Sequence, residues 1–211
     1  AGSALGSMFN VETGSPFSKQ RLAHLVLPVV LCSPGQSVGM IRTEYGRMLC
    51  ASHVICNTPL VALGQKKLCE LAQLVVGGLE KTVESSISST SEETRVHIDR
   101  DELLSLETIL MASLLKLYEM YPSSIIPHLG DIVPLLLLIT VTSTKVSTTP
   151  LHLLALQLLL SVSNSVDDGV IHFCKAYKPK VLTHLEKSLD HSSSHVRQAT
   201  VQVRNFWSII E

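Results

Sequence analysis

The chain has 211 residues, 45% hydrophobic and 17% charged, with a mean hydropathy of +0.31, which excludes a disordered chain and is enough for a core of ordinary domain size. A formal charge of −1 and a pI near 6.8 leave no general basic excess for phosphate-backbone binding, so direct nucleic-acid contact is not expected. Leucine dominates and aromatics make up only 4%, which favours packed helices over a β-sandwich.

In chain order, residues 1–7 read as the remnant of an expression tag and 8–211 as a single domain. Periodicity and punctuation predict helices at about 18–32, 40–56, 60–79, 100–120, 124–140, 149–163, 177–189 and 194–209. Ser15-Pro16, Thr58-Pro59 and Thr149-Pro150 each set a hydroxyl ahead of a proline, which suits the first turn of a helix. Asp99 and Glu102 make a capping-box-like start, and the serines at 192–194 are candidate caps for the last helix. Gly77-Gly78 reads as a helix stop and Asp167-Asp168-Gly169 as a turn. The Ser, Thr and Glu of 84–97 predict a mobile loop.

Taken in pairs, these helices make about four hairpins, spanning 16–57, 58–121, 122–164 and 167–210. The apolar runs that open near Tyr45, Leu103, Leu151 and Val196 are 58, 48 and 45 residues apart, with 84–97 enlarging the first interval. Such spacing lies in or near the HEAT and armadillo range. Pro28, Pro134 and Pro179 recur inside the first helix of a pair, where proline removes a backbone donor. Leu103, Leu106, Leu110, Leu114, Leu117 and Tyr121 form one stripe, and Leu104, Met111, Leu115 and Tyr118 a second beside it. A helix apolar over that width has to pack on more than one neighbour. The expected fold is all-α: a right-handed α-solenoid, or superhelix, of about four HEAT-like hairpins.

No apolar stretch is long enough to span a bilayer as a single helix. Five cysteines without a C-x-x-C pair read as reduced thiols among apolar residues. Cys50, His53 and Cys56 sit at three-residue steps, which spread around a helix and do not converge on one ion. There is no G-x-S-x-G, P-loop or dinucleotide fingerprint, so no catalytic residue, metal or cofactor is expected.

The last third carries the most specific pattern: Tyr177-Lys178-Pro179, Leu189-Asp190, Val196-Arg197, Val201, Arg204 and Trp207. Asp190 and Arg197 read as a structural ion pair. Arg197, Val201, Arg204 and Ser208 fall along one stripe of the last helix, and Val196, Ala199, Val203, Phe206 and Ile210 along the other. Trp207 is either an end-cap of the core or an interface anchor. Lys178, Lys180, Arg197, Val201, Arg204 and Trp207 are the candidate partner-binding residues.

This string resembles the C-terminal end of the MMS-nineteen family, HEAT-repeat adaptors of cytosolic iron–sulfur protein assembly. Thr200 stands where that family's pattern has alanine, and His191-Ser192-Ser193-Ser194-His195 replaces a usually basic stretch. A turn that binds by charge would here rely on histidines below neutral pH. The resemblance implies a non-catalytic scaffold in the cytoplasm and nucleus. It docks a MIP-eighteen family protein and, through it, a WD-repeat propeller, recruiting apo iron–sulfur clients such as the XPD helicase and DNA-replication proteins. The alternative is a HEAT or armadillo scaffold of an unrelated complex.

Overall fold

The computed structural model describes residues 40–57, 60, 63–88, 100–142 and 148–211. Among them every regular element is helical: α1 (Met40–Asn57), α2 (Gln65–Ser88), α3 (Arg100–Met120), α4 (Leu129–Thr142), α5 (Thr149–Ser163), α6 (Asp168–Ser188) and α7 (Ser194–Ser208). Two short 3-10 turns, Pro122–Ser124 and Ile126–His128, join α3 to α4. The helix expected at 18–32, with Pro28, and the residues at 1–7 lie outside the described residues, as does Asp99.

The helices alternate between two layers. In the first, α1 packs on α3, α3 on α5 and α5 on α7; in the second, α2 packs on α4 and α4 on α6. Across the layers α1 meets α2, α2 meets α3, α4 meets α5, and α6 meets α7. Tyr45, Leu103, Leu151 and Val196, which set the sequence interval, fall one on each helix of the first layer. Both leucine stripes of α3 are needed because it packs on α1, α2 and α5; Leu106, Leu110, Met111, Leu114, Leu115, Leu117 and Tyr118 are all buried.

Side-chain bonds tie helices of the same layer at a regular separation. Ser188 Oγ on α6 donates to the Thr140 carbonyl on α4 (3.0 Å), and Trp207 Nε1 on α7 donates to the Leu159 carbonyl on α5 (3.0 Å); each spans 48 residues. Between α1 and α3, Cys56 Sγ meets Ser113 Oγ across 57 residues, and Lys116 Nζ donates to the Cys56 carbonyl across 60.

Several element boundaries differ from the sequence reading. Helix α2 begins at Gln65, not near 60, after Gly64 takes a φ of +73°, the left-handed backbone that glycine supplies without steric cost. It continues through Gly77 and Gly78 to Ser88, so that pair is no helix stop and 84–88 belongs to a helix; 89–97 lies outside the described residues. Helix α6 starts at Asp168, well before 177. Asp167 Oδ1 accepts the Val170 N–H at 3.0 Å and caps it, so the Asp-Asp-Gly run is a helix start and not a turn. Ser193 occupies the N-cap position of α7, but its side chain makes no capping bond. Pro134 and Pro179 lie inside α4 and α6 and remove the bonds to the Gly130 and Lys175 carbonyls; both of those residues are exposed, so the lost donor costs less than it would in the core.

Candidate protein-docking surface

Among the described residues helix α7 packs chiefly on α5 and α6, and its buried face is set by spacing: Val196, Thr200, Val203 and Trp207 recur at four, three and four residues. Thr200 is buried, and its hydroxyl donates to the Val196 carbonyl of its own helix at 2.8 Å, so the polar side chain costs no unmet bond. Trp207 is fully buried as well as bonded to Leu159. It is a core residue and is not available as an interface anchor.

The sequence groups Phe206 with Val196, Ala199, Val203 and Ile210 on one apolar stripe. Phe206 is instead 37% exposed, because the buried arc is centred between Val196 and Trp207 and Phe206 falls about 90° from that centre. Val201 and Ile209 are exposed at 46% and 70%. The outward side of α7 therefore carries two exposed apolar side chains, Val201 and Phe206, and Ile209 adds a third just after the helix. A wheel drawn through positions 196, 200, 203 and 207 finds this arrangement; a search for apolar residues alone passes over Thr200 and misplaces Phe206.

The charged candidates are tied down locally. Arg197 Nη1 donates to the carbonyls of His191 (2.7 Å) and Ser192 (3.0 Å), closing the α6–α7 turn. The expected ion pair with Asp190 is replaced by these carbonyl bonds, and Asp190 is exposed. Arg204 Nη2 pairs with Glu186 Oε1 at 2.9 Å across the α6–α7 seam. Both partners are substantially exposed, so the pair contributes at most about 1 kcal/mol.

Lys178 Nζ donates to the Ile210 carbonyl at 2.9 Å and fixes the end of α7. Lys180 lies on a different side of α6, since two residues advance a helix by about 200°. Its Nζ stands 5.8 Å over the Tyr177 ring, which stacks on Phe173 at 4.4 Å between centroids. The six candidates thus do not form one patch. Arg197, Val201 and Arg204 belong to α7 and its seam, Lys178 closes the far end of that seam, Lys180 belongs to the aromatic side of α6, and Trp207 is inside.

Elsewhere the chemistry is sparse. Among the described residues no three His, Cys, Asp or Glu side chains gather as a metal-ligand set. Cys50 is buried, Cys56 meets Ser113, and burial pushes the Cys174 thiol up to about 11, which holds it as an inert thiol near the Val162 carbonyl. No single helix among the described residues is long and apolar enough to cross a membrane. No family model matches the chain, and no curated protein and no solved structure is significantly similar to it.

Proposed function

We propose that this chain is a non-catalytic adaptor, a HEAT-type α-solenoid whose α7 edge docks a protein partner. The observation that supports this reading is the two-layer alternation of helices, one layer running α1, α3, α5, α7 and the other α2, α4, α6, together with Val201 and Phe206 exposed on α7 and Ile209 exposed just after it. Apolar side chains left exposed close together mark a surface that a protein partner can cover.

The identity of the partner rests on the Tyr177–Trp207 pattern. It points to the cytosolic iron–sulfur targeting complex, with the MIP-eighteen family protein and the WD-repeat propeller as partners, apo clients such as the XPD helicase as the proteins recruited, and work in cytoplasm and nucleus. The chain would supply position and no bond-making step.

Size-exclusion co-elution of the chain with the MIP-eighteen family protein, alone and with the propeller, tests this. Stable co-elution, lost in Val201→Glu with helicity unchanged, is the expected result. A folded chain that fails to bind at micromolar concentration overturns the iron–sulfur assignment and favours a scaffold of another complex. A stoichiometric metal in purified protein would overturn the non-catalytic reading.

A further inference from the structure

The bonds Ser188 to Thr140 and Trp207 to Leu159 set a common register of 48 residues between α4–α5 and α6–α7. That step carries the buried Val133, Leu137 and Thr140 of α4 onto Val181, Leu185 and Ser188 of α6, which are buried as well. The same step carries Ile125, Leu129, Ile132, Leu136 and Ile139, none more than 2% exposed, onto Phe173, Tyr177, Lys180, His184 and Lys187. On α6 the two lysines are exposed and the other three residues are half-buried. A row that is apolar and closed at α4 is aromatic, cationic and open at α6.

These five residues recur at four, three, four and three positions, so they form one stripe along α6. Its first half is built of rings: Phe173 stacks on Tyr177 at 4.4 Å between centroids, and Lys180 Nζ stands 5.8 Å over the Tyr177 ring. Its second half is positive. Among the described residues neither Lys180 nor Lys187 has a carboxylate partner, the ion pairs being Lys81 with Glu44 and Arg204 with Glu186. His184 Nδ1 is 2.8 Å from the Lys180 carbonyl, which only accepts, so the ring presents Nε2 as an acceptor between the two ammonium groups. The acids of α6, Asp168 and Glu186, stand about 140° around the helix from the stripe, as does Lys178, which bonds the Ile210 carbonyl. The stripe is therefore separate from the seam that holds α7, and its only charges are positive.

We propose that this stripe is a second docking surface, and that its occupant is an acidic amphipathic helix of a protein partner. Two lysines that no neighbouring carboxylate balances, in line with two half-buried rings, fit a partner that brings both carboxylates and aliphatic carbon. Spacing sets the pattern to be recognised. Phe173, Lys180 and Lys187 follow one another at seven residues, two turns or about 10 Å along α6. A partner helix lying along the stripe meets them with one aliphatic side chain and two carboxylates at the same seven-residue steps. A nucleic-acid strand fits less well, because two lysines neutralise only two phosphates and the chain as a whole carries a formal charge of −1.

The probe is a synthetic helix of alanine and glutamine carrying leucine, glutamate and glutamate at seven-residue steps; its control has lysine in place of both glutamates. Each is titrated into the intact chain at low salt and followed by backbone NMR. The acidic peptide should shift the amides of 173–187, and the lysine peptide should leave them unmoved. Lys180→Glu together with Lys187→Glu should weaken the acidic peptide by roughly tenfold and let the lysine peptide bind in its place. The comparison of the two peptides on the wild-type chain needs no variant, so a double variant that failed to fold would leave the test intact. Equal shifts from both peptides, none from either, or shifts centred away from the stripe would overturn the acidic-helix assignment. Single-stranded oligothymidine binding the stripe more tightly than the acidic peptide would overturn it too, in favour of nucleic acid. None of these readings involves the α7 edge or its partner, so the two surfaces stand or fall separately.

Discussion

Met48 occupies the space that a Cβ on Gly78 would enter: such an atom would lie 2.8 Å from Met48 Sδ and 3.1 Å from its Cγ. Gly78 is buried within α2, and Met48 is 2% exposed on α1, so the missing side chain is what lets the two helices approach. Gly77, its neighbour, has nothing within 4 Å of the equivalent point. Alanine should therefore act with opposite sign at the two positions. Gly77→Ala should raise stability by about 0.5–1 kcal/mol through helix propensity. Gly78→Ala should lose that gain and cost about 1–3 kcal/mol by overpacking. Urea midpoints of the two variants check this; equal gains at both sites would mean that Met48 moves aside freely.

Trp207 closes the core where α7 meets α5. Trp207→Phe keeps most of the apolar volume but leaves the buried Leu159 carbonyl without its indole donor, which should cost about 1–3 kcal/mol. Trp207→Ala adds a cavity and should cost about 3–5 kcal/mol. Chemical denaturation followed by circular dichroism reads both, since the single tryptophan is lost as a fluorescent reporter. A Trp207→Ala chain as stable as wild type would show that the indole is not seated in the core.

Two arginines that look alike in sequence have different tasks. Arg197 donates twice to backbone carbonyls at the α6–α7 turn, whereas Arg204 makes one exposed ion pair with Glu186. Arg197→Ala should cost about 1 kcal/mol, the effect of losing charged-donor bonds discounted for exposure. Arg204→Ala should stay within about 0.5 kcal/mol of wild type. Thermal unfolding at low and high salt separates them: the Arg204 effect should vanish in high salt, and the Arg197 effect should persist. Equal, salt-sensitive losses would contradict the assignment of Arg197 to the turn.

The parts legible in the sequence are those where one local signal acts alone. Helix α5 runs from Thr149 to Ser163 as expected, because Thr149-Pro150 marks its first turn and its leucines fill the core. Helix α3 follows from its two leucine stripes. The start of α6 is hidden because its buried positions, Val170, Cys174, Val181 and Leu185, share their stripe with the half-buried Lys178 and are flanked by the exposed His172 and Lys175, and Asp167 looks like a turn residue until its carboxylate is seen on the Val170 N–H. The outward side of α7 was half legible: Val201 was in view, but the exposure of Phe206, and of Ile209 just after the helix, depends on where the buried arc of α7 is centred. His191 carries no local sign of burial at all. Its burial against His152 is a product of packing between the α6–α7 turn and α5.

Glu107 gives the N-terminal half its own pH signature. The carboxylate is buried on α3, and Ser86 Oγ on α2 donates to it at 2.7 Å. Burial, the largest cause, raises its pKa above the usual 4.5; the Ser86 bond and the Arg100 charge pull the other way without cancelling the shift. The folded chain thus holds this proton to higher pH than the unfolded chain does. Stability from this site is present below the unfolded value, falls as pH rises through the window between the two, and stays at its lower level above the folded value. Glu107→Gln keeps an acceptor for Ser86 and removes the charge. It should therefore be more stable than wild type at pH 7.5, with the advantage shrinking toward pH 4, as read from urea midpoints across that range. A variant less stable than wild type at every pH would show that the ionised carboxylate is a net support of the α2–α3 contact, through Ser86 and Arg100, and not a tolerated cost of burying it.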